Sequence, residues 1–192
     1  MTTSQELHDR IAGHNIPKRF LSNLARNGEI EVVTWKDSNG DWTSWTLTEL
    51  ADVTARLTSA LADIGIGEGD RVVLMLRNRA EFHPLDLAVL FRGATPVSIY
   101  NSSAPEQIEY LVNDCGAKMA IVEDAGFLER FMKVRAQMPT IEHIAIVEDD
   151  ETAGPDVVRY SDMVGFEPAD LAAEAETATL DDLATIIYTS GT

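Results

Sequence analysis

The chain of 192 residues carries 15 lysines and arginines against 32 aspartates and glutamates, a formal charge of −17 with its four histidines neutral. Its apolar content of 45% and charged content of 24% match an ordinary globular chain and exclude wholesale disorder. An acidic surface repels phosphate backbones and anionic headgroups, which argues against a nucleic-acid or membrane-surface protein but leaves room for a small anion held by backbone dipoles.

At ~150 residues per domain the length implies one or two domains. Cys115 is the single cysteine, so neither an internal disulfide nor a zinc knuckle is available. The start, Met1-Thr2-Thr3-Ser4-Gln5-Glu6, lacks the cationic and apolar parts of a signal peptide. Apolar runs such as Val72 to Leu76 are too short to span a bilayer. A reducing, cytoplasmic setting is expected.

The first helix is expected after Pro17, with Phe20, Leu21 and Leu24 on one face and Gly28 as its stop. Val32, Val33 and Trp35 read as a strand, and Asp37 to Asp41 as a turn into Trp42-Thr43-Ser44-Trp45, together a hairpin. Trp42 and Trp45 read as packing residues, since no basic residues interleave them. Thr46 and Glu49 form a capping box ahead of Leu47, Leu50, Thr54, Leu57, Leu61 and Ile64, whose steps of three and four predict an amphipathic helix ending at Gly65.

The strand Val72 to Leu76 is apolar on both faces, as in a parallel sheet covered on both sides. Alternation then repeats: a helix through Leu85, Leu87, Leu90 and Phe91, a strand Pro96 to Ile99, a helix Pro105 to Asp114 and a strand Met119 to Val122. A helix through Leu128, Phe131 and Val134 and a strand Ile144 to Val147 complete the series. This order predicts an α/β fold, a doubly wound, mostly parallel sheet with flanking helices. Pro84 requires its helix to start late or kink. From Glu148 to Asp182 the pattern weakens, and Asp149-Asp150-Glu151 reads as a solvated turn. Leu183 to Tyr188 reads as a buried strand, followed by Thr189-Ser190-Gly191-Thr192.

Ligands of open α/β sheets gather beyond the carboxyl ends of strands, and a strand running into Thr-Ser-Gly-Thr suits that place. Glycine admits backbone close to an anion, and the hydroxyls add donors. On its own the tetrapeptide fits an ordinary turn equally well. Gly65-Ile66-Gly67-Glu68-Gly69-Asp70 follows a helix and precedes a strand, the reverse of a dinucleotide-binding loop, and reads as a connector. The histidines are scattered without metal spacing, Cys115 reads as structural, and no nucleophilic triad is visible.

Tyr188-Thr189-Ser190-Gly191-Thr192 resembles the opening of the Y-T-S-G-T-T-G-x-P-K-G phosphate loop of the adenylate-forming superfamily of acyl-CoA ligases, luciferases and peptide-synthetase adenylation domains. Trp45 to Leu50 is similar to that family's W-T-Y-x-E-L segment, Gly69-Asp70-Arg71-Val72 to its G-D-R-V strand entry, and Gly93 to Val97 to its G-A-x-x-V turn. Pro96 to Tyr110 resembles the I-Y-x-T-S-S-x-x-Q-I-x-Y stretch of long-chain fatty-acyl-CoA ligases, with a departure at Asn101-Ser102.

The resemblance implies that residues 1–192 are part of the large N-terminal AMP-binding domain of a long-chain fatty-acid–CoA ligase, truncated inside the phosphate loop and without the C-terminal domain. Substrates of the parent enzyme would be a fatty acid, ATP and coenzyme A, with Mg2+ as cofactor. Thr189, Ser190, Gly191 and Thr192 would contact ATP phosphates, Thr189 would also help hold magnesium, and Tyr188 would pack rather than touch ligand. The loop lysine and the adenine- and ribose-binding motifs lie outside this sequence, so the piece alone is expected to have no catalytic residue, to be inactive, and to self-associate or capture its missing half. The alternatives are a noncatalytic α/β binding or interaction module, or another adenylate-forming enzyme such as a luciferase-like protein or an adenylation domain.

Overall fold

The computed structural model describes residues 3–148, 150 and 153–189. Its elements are α1 (Ser4–Ile11), α2 (Ile16–Asn27), β1 (Glu31–Lys36), β2 (Trp42–Thr46), α3 (Leu47–Asp63), β3 (Arg71–Met75), α4 (Phe82–Phe91), β4 (Thr95–Ser98) and α5 (Pro105–Cys115). There follow β5 (Met119–Val122), α6 (Ala125–Lys133), β6 (His143–Ile146), β7 (Val157–Arg159), α7 (Tyr160–Met163) and α8 (Leu171–Glu174).

β1 and β2 form the expected antiparallel hairpin, in which Trp35 and Trp45 pack edge to face at 4.8 Å. Trp42 departs from the packing expectation. Its register opposite Lys36 places it on the outer face, 71% exposed, with the Lys36 ammonium 5.3 Å from its ring. α3 begins with the expected capping box: the Glu49 amide donates to the Thr46 hydroxyl at 3.2 Å, and the Thr46 amide to the Glu49 carboxylate at 2.7 Å. These contacts satisfy two of the donors that a helix start leaves unpaired. α4 starts late enough to make Pro84 its third residue, where the missing N–H has no intrahelical partner to lose.

The five-stranded sheet is wholly parallel, in the order β4-β3-β5-β6-β7. Because side chains alternate along a strand, Val73, Met75, Val97, Ala120, Val122, Ile144 and Ile146 face α5 and α6, meeting Ile108, Val112, Phe127 and Phe131. Val72, Leu74, Met119, Ile121 and Ala145 face α3 and α4, meeting Leu57, Leu61, Leu85 and Val89. The doubly wound reading holds. A third cluster seats α2 and α8 on the outside of α3 and α4, with Phe20 edge-on to Phe91 at 5.9 Å.

The connector 65–70 turns through Gly65 and Gly69, at φ 78° and 76°, a conformation that a side chain would strain. Gly28 ends α2 for a different reason: at its αR backbone, an added Cβ would lie 2.7 Å from the Thr48 hydroxyl, which donates to the Gly28 carbonyl. α1, β7, α7 and α8 were not anticipated. β7 is only three residues long and α7 and α8 four each, too short to show a period. Of the acidic run, Asp149 and Glu151 lie outside the described residues, and the Asp150 carbonyl accepts from Arg159.

Phe131→Ala removes a side chain with no exposure from the α5/α6 layer and is expected to cost about 3–5 kcal/mol. Met132→Ala, at a 52% exposed neighbour, should cost less than about 0.5 kcal/mol. Urea denaturation at constant m-value checks both.

Candidate functional site

The chain leaves β3 toward β4 on one side and returns to β5 on the other, so the loops beyond their carboxyl ends diverge and open a crevice. Arg77 follows β3, and Glu123 and Asp124 follow β5. The Arg77 Nη1 donates to Glu123 and to Asp124, both at 2.7 Å, and the Arg77 amide donates to Glu123 at 2.5 Å. Arg79 holds Glu81 at 2.8 Å and reaches Glu148 at 3.1 Å. The Phe127 ring carries the Arg77 and Arg130 guanidiniums at 4.5 and 5.0 Å, within cation–π range.

Asp124 also caps α6, accepting from the Phe127 amide at 2.9 Å. Burial works against its charged form, but the hydrogen bonds from Arg77 and Phe127 outweigh it and hold the carboxyl below its usual value. Glu81 behaves alike: burial raises it, Arg79 lowers it, and the net shift is downward. Every carboxylate here has a cation beside it, which makes the cluster a fastening between the diverging loops rather than a poised acid or base. The sequence pattern did not point to it because the bonds that join the two loops link residues 46 or more apart. Their place directly after buried strands was the available signal.

The expected phosphate-loop residues lie elsewhere. Leu183 to Tyr188 is not a buried strand: it carries no ladder, and Leu183 and Ile187 are 57% and 76% exposed. The segment runs beside β4, where the Thr95 hydroxyl donates to the Leu183 carbonyl at 2.8 Å and the Thr185 hydroxyl to the Pro96 carbonyl at 3.2 Å. Thr95 and Ile99 spend their amides inward on the Asp70 and Leu74 carbonyls, and Pro96, whose carbonyl faces the segment, has no N–H to offer a ladder. Side-chain hydroxyls stand in its place.

Ile186 and Tyr188 pack against the α5/α6 core, and the Tyr188 hydroxyl donates to Asp114 at 2.7 Å. Burial and that carboxylate push the Tyr188 phenol well above its ordinary range. Thr189 follows directly and is exposed; Ser190, Gly191 and Thr192 lie outside the described residues. Cys115 is buried at the end of α5, next to the left-handed Gly116, and burial raises its thiol, as suits a structural cysteine.

The family model described as AMP-binding enzyme matches residues 20–192. The chain belongs to this family. It is 30% identical over 187 residues to the long-chain-fatty-acid–CoA ligase FadD15 of Mycobacterium bovis, covering 96% of this chain and 30% of that protein. It is 36% identical over 125 residues to an uncharacterized protein of Mycobacterium tuberculosis, covering 65% of this chain and 62% of that protein. The solved anthranilate–CoA ligase AuaEII, in complex with anthranoyl-AMP, shares the fold at TM-score 0.78 and 21% identity, covering 93% of this chain and 32% of that one. The chain thus spans less than two thirds of the length of each of these relatives. No helix among its described residues is long and apolar enough to cross a membrane.

Because the Asp124 carboxyl is lowered in the folded state, the unfolded chain binds its proton more tightly. The stability it contributes is full above about pH 4 and is lost as pH falls through the lower, folded value. Asp124→Asn keeps the helix cap and should flatten the acid side of a plot of thermal midpoint against pH between about 5 and 3.

Proposed function

We propose that the chain serves as the N-terminal part of an AMP-binding domain in an ATP-dependent acyl-CoA ligase acting on long-chain fatty acids. The observation that carries this reading is the family match, which runs through Thr189 and the residues after it. The long-chain preference is supported by the resemblance of Pro96 to Tyr110 and by the name of the FadD15 relative. AuaEII, an anthranilate–CoA ligase, keeps an aryl acid as the second reading.

In the proposed reaction a carboxylate oxygen attacks the α-phosphorus of ATP. The bond to the bridging oxygen breaks and pyrophosphate leaves with its electrons. The coenzyme A thiolate then attacks the acyl carbon and AMP departs. Both steps rest on holding the reacting groups in line and on donors aimed at the developing charge. In this reading Thr189, Ser190, Gly191 and Thr192 supply hydroxyl and amide donors to the phosphates. Magnesium, when bound, offsets triphosphate charge. The described residues do not by themselves make its site, since Thr189 brings one hydroxyl and no group of three or more His, Cys, Asp or Glu is gathered among them. No step is therefore derived through the metal.

The 192-residue chain alone is expected to give no carboxylate-dependent exchange of pyrophosphate into ATP, whereas a chain of the relatives' length should. Each lost charged or amide contact is worth ~1–3 kcal/mol, so several together weaken ATP by orders of magnitude. Micromolar ATP affinity of the short chain by calorimetry would overturn the expected inactivity. Exchange by the longer chain with aryl but not fatty acids would favour the second reading.

The short chain is also expected to self-associate through Leu180, Leu183 and Ile187, which are 43%, 57% and 76% exposed. A concentration-independent monomer mass by light scattering, with one cooperative melt, would instead favour a noncatalytic module.

A further inference from the structure

The segment 183–189 makes no backbone–backbone hydrogen bond among the described residues. Besides the packing of Ile186 and Tyr188, three side-chain hydrogen bonds hold it: Thr95 on Leu183, Thr185 on Pro96, and Tyr188 on Asp114. Only the last involves a charge, and only the last adjoins Thr189. At 2.7 Å it is a short, charge-assisted bond, roughly twice as strong as a neutral one.

Asp114 is otherwise poorly placed. It stands in the last turn of the 11-residue α5, where the helix dipole disfavours an anion. No basic residue lies in that turn; Arg71 instead donates to the terminal Cys115 and Gly116 carbonyls, both at 2.6 Å. Arg71 thus closes the helix end, the left-handed Gly116 fixes where the chain leaves it, and the Asp114 carboxylate is left to point at the phenol. The Tyr188 ring rests on the α5/α6 core, so its hydroxyl and backbone are tied to one rigid layer.

We propose that Asp114 is a positioning residue for the phosphate loop: through Tyr188 it sets where the chain entering Thr189 lies against α5 and the β4 edge. The proposal rests on the reading above that Thr189 enters that loop. It adds a residue of α5, 75 positions earlier in the chain than Thr189, that touches no phosphate itself.

Chymotrypsin cuts after tyrosine and phenylalanine, so loss of Thr189–Thr192 from the intact chain, followed by mass spectrometry, reads how firmly residue 188 is held. Asp114→Asn and Tyr188→Phe should each speed this cut about tenfold, the worth of one hydrogen bond to a charged group, and the double variant no further. Asp114→Glu should recover most of the protection. Packing alone would not move the second readout: the Tyr188 ring, followed by NMR in a pH titration, should ionise at lower pH in Asp114→Asn. Wild-type cleavage rates in Asp114→Asn, or additive effects in the double variant, would overturn the tether. In a chain of the relatives' length, added ATP should shift the Thr189 amide resonance of the wild type and shift it less in Asp114→Asn; an equal shift in both, despite faster cleavage of the short variant, would overturn the positioning role. An ATP-insensitive Thr189 in that longer wild-type chain would count against the phosphate-loop reading alone, with the cleavage rates still deciding the tether.

Discussion

Val72 and Val73 point to opposite faces of β3, and neither retains any exposure, so helices must cover the sheet on both sides. A strand of this kind cannot sit in a one-sided antiparallel sheet without leaving apolar surface in water, at ~25 cal/mol per Å². Covering both faces forces the chain to reverse its winding, with α4 on one face and α5 on the other. That reversal opens the gap between the loops after β3 and β5. The crevice at the carboxyl ends is therefore a consequence of how the core is buried.

The gap is spanned by the chain's own charges. Glu123 is nearly buried, and an unpaired carboxylate there would be costly; the Arg77 amide and guanidinium both serve it. Asp124 joins the same guanidinium while capping α6, so one arginine links the end of β3 to the start of a helix on the opposite winding. The crevice that the topology would offer to a ligand is thus braced by intrachain ion pairs. The residues that resemble the family's phosphate loop follow, in sequence, the segment beside β4.

What the sequence revealed follows the range of the interactions involved. The helices α3 to α6 were legible from their apolar periods, with Gly65 as the stop of α3, and the strands β3, β4, β5 and β6 from short apolar runs that alternate with those helices. The hairpin was legible from its turn. Leu183 to Tyr188 was misread because apolar composition cannot distinguish a strand buried on both faces from an extended segment pressed on one. Ile186 and Tyr188 go inward, Ile187 goes out, and Pro96 denies the ladder. The fastening at Arg77 and the bond from Tyr188 to Asp114 join residues 46 and 74 positions apart, and no local pattern encodes such pairs.

The charge of −17 takes on a different meaning once its cations are located. Arg56, Arg77, Arg79 and Arg92 face carboxylates, while Arg71, Arg130 and Arg135 donate to carbonyls at helix ends and turns. These cations serve the fold, and attracting a triphosphate with them would mean breaking contacts that hold the sheet and its helices together. In the proposed reading, the phosphate at Thr189 is held by backbone amides and hydroxyls, groups that need placement rather than charge. Donors of that kind gain strength only where the backbone is fixed before the ligand arrives. In a segment without a ladder, the fixing falls to side-chain contacts, and the bond from Tyr188 to Asp114 is the one nearest to Thr189.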